Sequence, residues 1–165
     1  RNMEAQQVDA VRDEVEELLK EGLYRSAWTL CSFLTSSNQK SKTVDNQAYD
    51  WALFGDAAFG LERWSQARGY YDRGLSLLQS GSKDAKSIYP LALRVADCAL
   101  KLNDGEAAME LMRSVPFDHR PLRHSLEIAR LYEKWGKKKH AIMAYQEVLD
   151  RSRGRRYVVE ASLAL

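Results

Sequence analysis

Trp51-Ala52-Leu53-Phe54-Gly55-Asp56-Ala57-Ala58, with Ala67, Tyr71 and Gly74 after it, is the stretch that decides how this chain folds. It reads W-x₂-F-G-x₂-A, a gap, then A-x₃-Y. Two short helices joined by a tight turn satisfy such a pattern, in a unit of about 34 residues. Units of this kind usually make no bonds and break none; they present surface to other proteins.

The pattern returns. A first copy carries Val11, Val15 and Leu18, then Ala27, Cys31 and Leu34. A third has Val95, Ala96 and Ala99, then Ala108, Met112 and Val115. A fourth has Ile128, Ala129 and Tyr132, then Ala141, Tyr145 and Val148. Leu18 and Ala27, Ala58 and Ala67, Ala99 and Ala108, and Tyr132 and Ala141 are each nine residues apart. This resembles the tetratricopeptide signature, whose hairpins stack because one alone cannot bury its apolar face. The expected fold is all-α, a tetratricopeptide-repeat right-handed superhelix of antiparallel helix pairs. The expected repeats cover roughly 8–37, 48–80, 89–117 and 122–152 of a single domain, with the start of a further repeat at 156–165.

Residue size has a reason at each position. Gly55, Ala96 and Ala129 are small where the helices of a hairpin cross. Ala27, Ala67, Ala108 and Ala141 start the second helix against the first. These alanines are spaced by 40, 41 and 33 residues, so the first two joints carry extra loop. Ser36-Ser37-Asn38-Gln39-Lys40-Ser41-Lys42 and Ser80-Gly81-Ser82-Lys83-Asp84 supply it, being rich in turn formers. Pro90 suits the first turn of a helix, and Pro116 and Pro121 bracket the joint after the third repeat. Tyr157 to Leu165 reads as a further helix, and its apolar end as part of a longer repeat protein.

Composition narrows the function classes. At 165 residues the chain has the length of one domain. Cys31 and Cys98 fall at apolar repeat positions and read as buried thiols suited to a reducing compartment. No apolar run approaches the roughly 18 residues of a membrane span. Arg1-Asn2-Met3-Glu4 does not open a signal peptide, whose apolar stretch runs about 7–15 residues. A net charge of +2 is too near zero for a general nucleic-acid binder.

Chemistry-bearing motifs are sparse. His119 and His124 are five residues apart across a proline, which is not a ligand pair on one helix face, and with His140 they read as surface histidines. No phosphate-cradling glycine loop is present. Neither cysteine has a base partner in the sequence. No catalytic, cofactor or metal residues are therefore assigned. Arg151, Arg153, Arg155 and Arg156, close after Lys137-Lys138-Lys139-His140, suit a solvated helix end and a joint better than an anion site. One row is a candidate groove: Glu16, Asp56, Asp97 and Arg130, each one residue after a crossing position. Its three acids could receive a basic peptide, the alternative being ordinary exposed helix charges. The carboxylate-clamp repeats of co-chaperones place Lys and Asn on that face. Here the pairs are Arg12/Glu16, Ala52/Asp56, Leu93/Asp97 and Leu126/Arg130, which speaks against that role.

The order of segments resembles the N-terminal part of anaphase-promoting complex subunit seven. The carrying residues are Gly22-Leu23-Tyr24-Arg25-Ser26-Ala27, Trp51 to Ala57, Leu93-Arg94-Val95-Ala96-Asp97-Cys98, the Ser114-Val115-Pro116 break, Leu131 to Gly136 and Ala144 to Leu149. The resemblance implies a non-catalytic scaffold subunit of a multisubunit ubiquitin ligase, found in nucleus and cytoplasm. Its partners would be other repeat subunits and a second copy of itself, with no nucleic acid or membrane. The first hairpin has no preceding repeat to cover it. Leu23, Tyr24, Trp28, Phe33 and Leu34 are therefore the candidate dimer interface, with Phe59, Trp64 and Tyr70 beside them. The rival expectation is that the leading helix, Val8 to Leu19, caps the stack alone. A second reading is a peptide-binding adaptor using the acidic groove.

Overall fold

The computed structural model describes residues 2–36, 42–81, 85–115 and 122–151. The expected helix from Tyr157 to Leu165, Pro116, Pro121, His119, Arg153, Arg155, Arg156 and the middle of each polar joint lie outside the described residues. The described residues form eight helices: α1 (Asn2–Lys20), α2 (Tyr24–Ser36), α3 (Val44–Gly60), α4 (Trp64–Gly81), α5 (Ala85–Lys101), α6 (Gly105–Ser114), α7 (Leu122–Lys134) and α8 (Lys138–Arg151). They divide into two compact units, Arg1–Asn103 and Asp104–Leu165.

The constant nine-residue gap has a backbone cause. Two residues after each first helix comes a residue with positive φ: Gly22 (75°), Glu62 (59°), Asn103 (59°) and Gly136 (79°). Glycine adopts that conformation without strain. Each lies five residues before its repeat alanine. The N–H of Leu23 donates to the Leu18 carbonyl (2.8 Å), that of Arg63 to Ala58 (2.9 Å) and that of Lys137 to Tyr132 (2.9 Å). This is the bond that closes a helix C-terminus over a left-handed residue. The repeat alanine then donates to the residue four before it: Ala27 to Leu23, Ala67 to Arg63, Ala108 to Asp104 and Ala141 to Lys137. Helix end, turn and first turn of the next helix thus consume a fixed length of chain.

In unit 1, α1 packs on α2, α3 on α4, and the next hairpin contacts are α2 on α3 and α4 on α5. Its first core cluster joins Val15, Ala27, Cys31, Leu34, Leu53, Phe54 and Ala57. Gly55 lets α3 meet α4: a Cβ there would lie 2.3 Å from Cε1 of Tyr71, the buried tyrosine of the A-x₃-Y half. Thr43 caps α3, its hydroxyl accepting from the Asn46 N–H at 3.1 Å. Pro90 is not in a first turn. The helix begins at Ala85, because Ile88, Leu91, Ala92 and Val95 continue one buried face through the proline. Inside the helix, Pro90 gives up the bond back to the carbonyl of residue 86 and crowds that carbonyl with its ring.

In unit 2, α7 packs on α8 and α6 on α7. Leu126, Ala129, Ala141, Tyr145 and Val148 form its core. Asp104 caps α6 by accepting from the Ala107 N–H at 3.3 Å. His124 is not a surface residue. It is fully buried, and helix phase sets it in line with buried Leu131, two turns further along α7, on a different side from the Leu126–Ala129 face. His140 is exposed, as expected.

Candidate interaction surfaces

Leu23 and Phe33 are about half exposed, at 48% and 51%. Leu23 follows the left-handed Gly22 in the turn, and Phe33 lies on α2. Leu34 must leave the candidate interface: it is fully buried, because one residue further along α2 the side chain points into the core rather than to solvent. Tyr24 is half-buried and lies against Gly60 at the end of α3, where an added Cβ would come within 2.3 Å of its ring. Trp28 meets Phe54 edge-on (centroids 5.1 Å) and carries the Arg63 guanidinium at 5.1 Å. Tyr70 stacks on Phe54 at 3.9 Å. Phe59 and Trp64 pair edge-on at 4.8 Å. Tyr24, Trp28 and Tyr70 therefore join the first hairpin to the second, Phe59 and Trp64 pair within the second, and the first hairpin keeps Leu23 and Phe33 as exposed apolar groups.

The acidic row is already engaged by its own chain. Glu16 accepts a hydrogen bond from Tyr49 Oη (3.0 Å). Burial and that carboxylate push the Tyr49 hydroxyl up to about 12. Asp56 accepts from Tyr71 Oη at 2.5 Å and lies 3.6 Å from Arg94 Nε. Burial raises the Asp56 carboxyl, with Arg94 and the Tyr71 hydrogen bond pulling against it. Asp97 is half-buried on α5. Arg130, in unit 2, pairs with Glu127 at 2.7 Å.

Between α1 and α3 sits a polar node that the periodicity did not reveal. Asp50 is 1% exposed and accepts from Arg12 Nε (2.6 Å), Arg12 Nη2 (3.2 Å) and Lys42 Nζ (2.9 Å). Lys42 also donates to the Leu34 carbonyl, and Arg12 to Asp9 at 2.7 Å. The hydrogen bond to Asp50 holds Arg12 above its ordinary value. The only signal in the sequence was a charged residue one position before Trp51.

Cys31 and Cys98 are buried, and burial pushes both thiols up to about 12. Among the described residues no three His, Cys, Asp or Glu side chains are placed to hold a metal ion. No described helix is long and apolar enough to cross a membrane.

Two curated proteins match the chain over most of its length. One, from Arabidopsis thaliana, is 30% identical over 183 aligned positions covering 96% of the chain. The other, from Dictyostelium discoideum, is 27% identical over 160 positions covering 86%. Both are named anaphase-promoting complex subunit 7. This chain is similar to anaphase-promoting complex subunit 7. It spans 28% of the Dictyostelium protein and 32% of the Arabidopsis one, about a third of each. The solved structure of MamA (MSR-1, C2) superposes with a TM-score of 0.56, covering 87% of this chain and 76% of that one at 14% identity. At that identity the likeness concerns the fold alone, which is that of tetratricopeptide repeats. No family model matches the chain.

Proposed function

We propose that the chain is a non-catalytic scaffold module of the anaphase-promoting complex, assembling with other repeat subunits of that ubiquitin ligase in nucleus and cytoplasm. The observation that carries this reading is the similarity to two proteins of that name across 86% and 96% of the chain. It is supported by a repeat fold whose buried residues are spent on packing hairpins.

Self-association through the first hairpin is part of the proposal. Leu23 and Phe33 are the large apolar side chains that α1–α2 leaves half exposed. A two-fold arrangement would cover the same patch on both copies, and a stable interface of this kind buries about 2,000 Å² or more. Sedimentation across a dilution series tests it. The wild-type chain is expected to form dimers, and the pair Leu23→Glu, Phe33→Glu to sediment as monomers with unchanged helicity. A strictly monomeric wild type at high concentration overturns self-association. The adaptor reading, with a basic peptide in the acidic groove, is the weaker one, since Glu16 and Asp56 already accept from Tyr49 and Tyr71.

A further inference from the structure

A cleft of about 570 Å³ opens in unit 1 between the end of α2, the first half of α3 and the second half of α4. Trp51 and Leu77 give it an apolar lining. Trp51 is held in place by Phe54 and Tyr70, whose rings stack with it at centroid distances of 6.0 and 5.9 Å. From α4 come Arg73, Ser76 and Ser80, at the spacing of one helix face, with Asp72 beside them. The volume lies within the range of ligand clefts, about 300–1,000 Å³.

The polar groups of the cleft divide into spent and unspent. The hydroxyls of Thr35 and Ser80 donate to the carbonyls of Cys31 and Ser76, both at 3.0 Å, and the Gln47 amide donates to that of Lys42 at 3.2 Å. The Arg73 guanidinium lies 4.8 Å from the Trp51 ring centroid. Such a contact uses the face of the guanidinium and leaves its N–H donors for other partners. Among the described residues Arg73 makes no hydrogen bond and no ion pair, and the Ser76 hydroxyl makes no hydrogen bond. Asp72, the carboxylate of the lining, is already answered. Arg68, four residues earlier on α4, draws the Asp72 carboxyl down against the burial that raises it. Two cations thus stand against one acid, and the charge left over is that of Arg73.

The geometry points to a docking site for the carboxylate of a glutamate or aspartate on an extended segment of a partner protein, received by the Arg73 fork with the Ser76 hydroxyl beside it. A carboxylate matches that fork with two parallel hydrogen bonds. The indole need not be vacated, because its part is to hold the guanidinium, and an arginine already ordered on a ring costs less to bind. A basic side chain would meet Arg73 and find no unanswered acid. A neutral one would leave the fork unpaired. Trp51 and Leu77 offer apolar surface to the residues flanking the acid.

The test is an NMR titration of the whole chain with terminally blocked hexapeptides carrying one central Glu, Gln or Lys, following the Trp51 indole N–H and the Arg73 Nε–H. The Glu peptide is expected to shift both resonances saturably, and the Gln and Lys peptides to leave them in place. Arg73→Gln should weaken Glu-peptide binding about tenfold or more, read at the Trp51 indole. Arg73 is exposed, so the thermal midpoint should change little. Asp72→Asn should tighten binding, since it removes the like charge beside the site. Arg63→Gln, which strips the cation from Trp28 outside the cleft, should leave binding unchanged. Equal binding of the Gln peptide, preference for the Lys peptide, undiminished binding to Arg73→Gln, an equal loss in Arg63→Gln, or no saturable shift with any peptide would each overturn the assignment.

Discussion

Replacing Asp50 by Ala removes the buried carboxylate shared by two cations inside unit 1. Arg12 and Lys42 have side chains only 11% and 6% exposed, so neither recovers full hydration when Asp50 is gone. Breaking a buried ion pair from one side typically costs about 3–5 kcal/mol. Two residual contacts pull the expectation toward the lower end. Arg12 keeps Asp9, which is largely in solvent, and Lys42 keeps the Leu34 carbonyl. A loss of about 3 kcal/mol is therefore expected for Asp50→Ala. Urea unfolding followed by tryptophan fluorescence measures it, because Trp28, Trp51 and Trp64 all lie in the unit that holds the node. Two further variants sharpen the reading. Asp9→Asn should move the midpoint little, its carboxylate being 67% exposed. The triple change Arg12→Met, Lys42→Met, Asp50→Leu should recover most of the loss, since a packed apolar substitute for a buried charge cluster is often no less stable. A loss below about 1 kcal/mol for Asp50→Ala would refute the reasoning and show that water reaches Arg12 and Lys42.

Three other expectations follow from the core. Gly55→Ala should destabilise by about 1–2 kcal/mol although alanine is the better helix former, because the new Cβ meets a Tyr71 ring whose hydroxyl is tied to Asp56; a stabilised variant would sink the close-crossing argument. Cys31 and Cys98, pushed up to about 12, should resist a thiol-disulfide reagent at pH 8 in the native chain and react fully in denaturant; rapid native reaction would contradict their burial. Asp56→Asn should gain stability relative to wild type as pH rises from about 4 to neutral. The sign follows from the raised folded value: such an acid adds stability below its unfolded pKa and loses that contribution as pH passes the folded one. The opposite trend in paired denaturation curves would show that Arg94 and Tyr71 outweigh burial.

The frame of the fold was legible because it is fixed by local rules. A nine-residue gap repeated four times encodes one turn geometry, and the left-handed Gly22 and Gly136 are visible as glycines. Glu62 and Asn103 adopt the same conformation without that signal, so their turns were readable only through the spacing. Side-chain direction was less legible. Phe33 and Leu34 are neighbours of similar hydrophobicity, and a rotation of about 100° per residue puts one in solvent and the other in the core. His124 looked polar and therefore external, yet helix phase places it in line with buried Leu131. Asp50 escaped notice for a different reason. Its partners come from α1 and from the joint before α3, and pairings across 38 and 8 residues leave no periodic trace.

The acidic row stands out in the sequence, and much of its charge is already spent within the chain. A carboxylate holding a tyrosine hydroxyl at 2.5 Å, as Asp56 does, must give up that bond before it can receive a peptide. Asp56 would also give up Arg94 and would bury a carboxyl that desolvation already opposes. On that ground the row that stands out in the sequence is an expensive place for a basic side chain, and its Glu16 and Asp56 carboxylates serve the packing of their own helices.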